Sequence, residues 1–173
     1  MSVANASQHL QTLKASNLVE IKRDGNYIRY RLADDKIYHS WMMLREISLE
    51  RIAEVEKVVR DFRRQKKSLN AIPIEELLPM IKSQEVLLLD IRPKEEYDSG
   101  HLPQALHLPI ETLLERLKEL PKDKQLVAYC RGPFCVFADE AVEILISKGY
   151  KASRLEEGFP DWKLKGLPIE VTL

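Results

Sequence analysis

Apolar positions along the chain follow a helical period first, then a strand period, then a helical one again. In "ANASQHLQTLKASNLV", Ala6, Leu10, Leu13 and Leu18 recur at helical spacing, and Asn17 stands where a helix can end in a left-handed residue. "LVEIKRDGNYIRYRL" then alternates apolar and polar positions around an Asp-Gly pair, the signal of a two-stranded hairpin. Over residues 35–67 the apolar residues again step by three and four: Ile37, Trp41 and Leu44, then Ile52, Val55, Val59 and Phe62, with Glu and Arg filling the remaining face. This spacing predicts one long helix whose apolar stripe needs a partner surface, either a second copy in a homodimer or the rest of its own chain. "RRQKKSLN" reads as a polar junction.

From Leu69 onward short runs rich in Leu, Val and Ala ("EVLLLDI", "QALHLP", "QLVAYC", "KASRLE") alternate with "IPIEELLPMIKS", "KEEYDSG", "IETLLERLKELP" and "FADEAVEILISKG", which read as helices or turns. Alternation of this kind predicts an α/β fold, a mostly parallel sheet covered on both faces. Two modules are therefore expected, residues 1–67 and 69–173.

Composition supports the division. The 173 residues are 45% apolar and 31% charged, enough for one domain with a real core plus a smaller attachment. The net charge of zero hides an asymmetry: residues 1–70 carry 14 Lys and Arg against 9 Asp and Glu, and the remainder carries 13 against 18. A basic module can lean toward polyanions, although a charge run of this size is also an ordinary solvated face. The apolar runs are too short to cross a bilayer, and "MSVANASQHL" lacks the order of a signal peptide, so a cytoplasmic protein with no membrane partner is expected. In that compartment two cysteines five positions apart point to reactive or packed thiols rather than a structural staple.

Those cysteines stand in "VAYCRGPFCVFADEA". A strand breaks at Cys130 and a helix resumes within a few residues. A cysteine there faces the unpaired N–H groups at the positive end of the helix dipole, which favour thiolate over thiol. Arg131 adds a positive charge, Gly132 permits a loop that curls around the sulfur, and Pro133 restricts it. A buried cysteine at a strand end is the plainer alternative, but it leaves the Arg-Gly-Pro turn unexplained.

The segments "LLLDIRPKEEYDSGHLPQALHLP", "VAYCRGPFC" and "GFPDWKLKGLPIE" resemble, in order and spacing, the signatures of the rhodanese-like sulfurtransferases, over residues 69–173. The resemblance implies an enzyme in which Cys130 carries sulfane sulfur as a persulfide between a sulfane sulfur donor and a thiol acceptor. It implies that the backbone amides of Arg131, Gly132, Pro133, Phe134, Cys135 and Val136 hold the outer sulfur. Asp90, Arg92, Glu96 and His101 match the first signature, where Arg92 is expected to pair with Glu96. Trp162, Gly166 and Pro168 match the closing one and are expected to be structural. Many active members carry an arginine five residues beyond the cysteine to bind thiosulfate; Cys135 stands there instead, which argues against thiosulfate as donor. The loop from Cys130 to Cys135 has the length associated with sulfur transfer, one residue shorter than in the related phosphatases. Cys135 could attack the inner sulfur of a Cys130 persulfide and leave a disulfide, or could simply pack at the start of the helix. No cofactor is expected.

"SQHLQTLKASNLVEIKRDGNYIRYRLAD" resembles the recognition helix and wing of the ArsR-type winged helix-turn-helix repressors. By that resemblance Ser2, Asn5, Ser7, Gln8 and Gln11 face a major groove, Lys22, Arg23, Arg29 and Arg31 face phosphates, and residues 35–67 form a homodimer. The similarity begins almost at the recognition helix, so the helix that normally braces it is missing and DNA binding is expected to be weak. A partner-dependent dimerisation module is the alternative. Residues 1–70 contain no cysteine, so the thiolate metal sites of those repressors are absent; His9 is expected to pack, and no metal is expected. Three readings follow: a sulfurtransferase, a sulfur-responsive regulator, and a noncatalytic interaction module.

Overall fold

A computed structural model of the chain describes residues 2–51, 57, 70–133 and 135–172. The chain divides into two units, residues 1–58 and 59–173. The expected junction at 67–69 lies outside the described residues.

In the first unit, helix α1 (Val3–Ala15) starts at Ser2, whose Oγ accepts the Asn5 N–H at 3.3 Å. That hydroxyl satisfies one of the N–H groups a helix start leaves unpaired. Past its end, Asn17 adopts the expected left-handed conformation with φ 55°. Strands β1 (Val19–Asp24) and β2 (Tyr27–Leu32) pair antiparallel from Val19–Leu32 to Asp24–Tyr27. Gly25 and Asn26 therefore make the turn, and Gly25 supplies the positive φ of 58° that a two-residue hairpin turn requires. Asp34 accepts the Lys36 N–H at 2.7 Å just ahead of helix α2 (Asp35–Arg51). Beyond Arg51 only Lys57 is described, as helical; Ile52, Val55, Val59 and Phe62, with the rest of the helix expected up to residue 67, lie outside the described residues. Little is buried here. Helix α1 buries no side chain, and among the described residues Val19 is the buried one.

The second unit is built on a five-stranded sheet, β3 (Ala71–Ile72), β4 (Val86–Asp90), β5 (Leu106–His107), β6 (Gln125–Tyr129) and β7 (Ala152–Leu155), in the order β3-β7-β6-β4-β5 with every pairing parallel. The helices are α3 (Ile74–Lys82), α4 (Lys94–Ser99), α5 (Ile110–Arg116), α6 (Val136–Ser147) and α7 (Phe159–Leu164). Successive strand residues go to opposite faces. Leu89, Leu126 and Ala128 join Leu113, Ala141, Val142 and Leu145 in one core layer, while Leu88, Val127 and Tyr129 join Ile74, Leu77, Leu155 and Trp162 in the other. Because both faces are covered, the strands read as near-continuous apolar runs, and the α/β reading holds. Strand β3 and helix α7 are additions to the sequence reading. Two residues carry no period, and α7 is too short for one.

Strand order reverses between β4 and β6: the chain leaves β4 toward β5 on one side and β6 toward β7 on the other. In a parallel sheet such a reversal opens a crevice beyond the carboxyl ends of the two strands. Asp90 and Tyr129 are those ends, and Cys130 comes next.

Candidate active site

Cys130 leaves β6 at that crevice with only 2% of its surface exposed. Its carbonyl accepts the Phe159 N–H at 2.9 Å, and the carbonyl of Tyr129 before it accepts the Ile91 N–H at 3.2 Å, so the strand end is pinned on two sides. The chain then turns at Gly132, whose φ of 136° lies in the region that favours glycine. The Cys135 N–H donates to the Gly132 carbonyl at 3.0 Å and brings the loop back on itself. Cys135 is the N-cap residue of α6, and its sulfur is bonded to that of Cys130 across a Cα–Cα distance of 6.2 Å.

Two parts of the expected sulfur cradle change in consequence. Pro133 has no N–H, and the Cys135 amide is given to Gly132, so neither contributes a donor to the sulfur in this state. Val136, partly exposed, opens α6. Phe134 lies outside the described residues.

The expected Arg92–Glu96 pair is replaced by two others. Arg92 turns back onto Asp90: its Nε lies 2.9 Å from Asp90 Oδ1 and its NH2 2.5 Å from Oδ2, while NH2 also donates to the Gly100 carbonyl at 2.7 Å. Asp90 and Arg92 are both buried, and the guanidinium sits 4.1 Å from the Phe159 ring centroid. A buried guanidinium has to meet its carboxylate close by, and Asp90, two residues back on the strand end, is nearer than a helix residue at the surface. Glu96, freed from that role, takes Arg131 instead: Nε and NH2 of Arg131 reach Glu96 Oε1 at 2.9 and 2.5 Å. The positive charge beside Cys130 is thus shared with a carboxylate from α4.

His101 is buried. Its ring stacks on Tyr97 at 3.8 Å, and its backbone exchanges two hydrogen bonds with Glu170, each 2.9 Å. Burial, and after it the Asp90 carboxylate, pushes the Tyr129 hydroxyl above its ordinary value, so it stays protonated and accepts the Leu102 N–H at 3.1 Å. Trp162 is buried with its Nε1–H donated to the Pro168 carbonyl at 2.8 Å, and Gly166 turns with φ 67°.

Residues that motif reading did not assign also shape the site. A Cβ on Gly158 would fall on Gly132 N and the carbonyl carbon of Arg131, so this glycine lets α7 lie directly against the loop after Cys130. Its N–H donates to Asp161 Oδ2 at 2.9 Å, which fixes the start of α7. Its place in "EEGFPDW" was the available signal. Arg154 of β7 and Asp139 of α6, fifteen residues apart in sequence, form a second buried ion pair at 3.2 Å; nothing in the residue pattern pairs them.

In the first unit, Ser7, Gln8 and Gln11 lie exposed on α1, and Lys22 and Arg23 lie exposed on β1. Gln11 Nε2 donates to the Tyr30 hydroxyl at 3.3 Å. Arg29 and Arg31 are engaged within the hairpin, with Asp24 at 2.8 Å and Glu20 at 2.6 Å. Such exposed pairs are worth about 0–1 kcal/mol and yield readily to a stronger anion. Among the described residues no group of three His, Cys, Asp or Glu side chains could hold a metal ion, and no helix is long and apolar enough to cross a membrane.

Comparison with known proteins adds four findings. A family model for the Rhodanese-like domain matches residues 73–165. The HTH-type transcriptional regulator Rv0324 of Mycobacterium tuberculosis is 39% identical over 170 residues, covering 98% of this chain and 74% of that protein. A sulfurtransferase of Allochromatium vinosum is 38% identical over 88 residues, covering 50% of this chain and 80% of that protein. Among solved structures, a rhodanese-related protein from Thermoplasma volcanium superimposes with a TM-score of 0.53 at 28% identity, over 58% of this chain and 97% of its own.

Proposed function

We infer that this chain, which belongs to the rhodanese-like domain family, is a sulfurtransferase that carries sulfane sulfur on Cys130. The observation behind the reading is a cysteine at the carboxyl end of a central parallel strand, buried, and followed within six residues by the N-terminus of a twelve-residue helix. The Cys130 thiolate attacks the sulfane sulfur of a persulfide or polysulfide, and the donor leaves as its thiolate. An acceptor thiolate then attacks the outer sulfur, and Cys130 leaves. Each step is a displacement at sulfur, favoured by a leaving group of low basicity, and the helix dipole at α6 stabilises Cys130 whenever it carries charge. Asp90, Arg92, Glu96 and His101 act as support. The Cys130–Cys135 bond has to be reduced before turnover.

The test is transfer from inorganic polysulfide to a thiol acceptor by the reduced full chain and by Cys130→Ser. The variant should lose the protein-dependent rate entirely. An undiminished rate in Cys130→Ser overturns the reading.

A second reading has its own support in the relative named as a transcriptional regulator, whose similarity runs through nearly the whole chain. In it residues 1–67 form an ArsR-like winged-helix segment that dimerises through residues 35–67, and the rhodanese-like domain from residue 69 senses sulfur. Ser7, Gln8 and Gln11 read base edges and Lys22, Arg23 and Arg29 meet phosphates. Duplex binding by this chain is weak and dominated by phosphate contacts, so log affinity falls steeply with log salt. Salt-independent, sequence-selective binding would contradict that account of the basic module.

A further inference from the structure

We propose that Cys135 makes this site a sulfane-sulfur reductase as well as a carrier: it resolves the Cys130 persulfide and releases the outer sulfur as sulfide. The proposal rests on Cys130 carrying sulfur and adds a fate for that sulfur other than transfer.

Three observations converge on it. The first is the bond between the two sulfurs, with Cα atoms 6.2 Å apart, inside the range of about 4.4–6.8 Å that disulfides occupy. A cysteine that only packed at the start of α6 would need no such approach. The second is the loop that produces it. Gly132 takes a φ of 136°, the Cys135 N–H closes onto the Gly132 carbonyl at 3.0 Å, and Phe159 N–H and the Gly158 backbone hold the loop's other end. Reach between the sulfurs is therefore built into the loop backbone. The third is an asymmetry of access: Cys130 is buried, whereas Cys135 is partly exposed.

The chemistry balances without an outside oxidant. The Cys135 thiol gives up its proton and its sulfur attacks the inner sulfur, Cys130 Sγ. The bond between the inner and outer sulfurs of the persulfide breaks, and the outer sulfur departs with the electron pair and takes a proton, leaving as hydrosulfide or hydrogen sulfide. The sulfane sulfur gains two electrons, and the two cysteines lose them in forming the Cys130–Cys135 bond. A dithiol reductant reopens the bond. Its thiolate attacks the sulfur of Cys135, the more exposed residue of the pair, and Cys130 is expelled as a thiolate toward the α6 N-terminus, where that charge is stabilised. The bonded pair in the structure is the state at the end of resolution.

The test uses the full chain, reduced, freed of reductant and kept anaerobic, with about one equivalent of inorganic polysulfide as donor, followed by intact mass and by sulfide determination. Wild type should gain one sulfur on Cys130 and then pass to a form lacking two hydrogens, releasing one sulfide per chain in that second step. Cys135→Ser and Cys135→Ala should load equally and hold the persulfide about tenfold longer or more, since a tethered thiol acts at an effective concentration in the mM range. Equal lifetimes in the three proteins, or a loaded wild type that never forms the disulfide, overturn the proposal while leaving Cys130 as a carrier. Failure of wild type to load overturns the carrier reading itself, and this proposal with it.

Discussion

Helices α2 and α6 both present apolar side chains, yet they end in different surroundings. On α6, Ala138, Ala141, Val142 and Leu145 are buried against the sheet of their own unit. On α2, Trp41, Met43, Leu44 and Ile47 stand exposed. The difference lies in what each helix has been given to pack on. The second unit supplies a five-stranded sheet with two faces, whereas the described part of the first unit supplies a hairpin and a helix that buries nothing of its own. A helix at the surface gets most of its stability from an apolar face packed on a neighbour. The second unit therefore buries the helix that follows Cys130, and the first leaves these α2 side chains exposed, which is the surface the proposed homodimer would use.

The largest effect that would sharpen this contrast is in the second unit. Arg92→Ala leaves Asp90 buried without its partner, and removing one member of a buried pair costs about 3–5 kcal/mol. The urea midpoint should fall accordingly, and transfer activity should fall with it because Asp90 ends the strand beside the one that carries Cys130. A loss below about 1 kcal/mol, the scale of an exposed pair, would erase the distinction between the units.

A smaller effect is set by pH. Tyr129 is raised above its ordinary value, about 10, so the folded state prefers the neutral phenol more strongly than the unfolded chain does. Its contribution is fully present below that ordinary value and is lost as pH climbs above it toward the raised folded value. Tyr129→Phe should cost about 1–3 kcal/mol at neutral pH by leaving the buried Leu102 N–H unpaired. The gap between wild type and variant should narrow above pH 10, read from urea unfolding at each pH. A gap that widens there reverses the assignment.

The smallest effect on stability belongs to the first unit. Leu44→Ser removes an exposed side chain and should change the unfolding of the second unit by no more than about 0.5 kcal/mol. It should instead weaken self-association measured by light scattering. A large loss of stability with unchanged association would show that α2 packs within its own chain.

Strand and helix positions in the second unit were legible in the residue pattern because each element has a clear period or a run of apolar residues bounded by turns. "QLVAYC" announced both a buried strand and the cysteine at its end, and the Asp-Gly pair announced the hairpin. The ion pairs were not legible. Arg92 has carboxylates at positions 90 and 96 within reach along the chain, and nothing in residue type says which it takes. Burial decides: inside the crevice the guanidinium bonds the carboxylate buried with it, and Glu96 is left to Arg131 at the surface.

The chain's residue order alone determined that a cysteine would stand between a buried strand and a helix N-terminus, because hydrophobic period and turn chemistry are local properties. Whether Cys135 could reach Cys130 was undetermined at that level, since the four residues between them allow the sulfurs to meet or to stay apart. Only the tertiary structure decided it. The Gly132 turn, the Phe159 N–H on the Cys130 carbonyl and the close approach of Gly158 come from elements far apart in sequence, and together they select the curled loop that joins the two sulfurs.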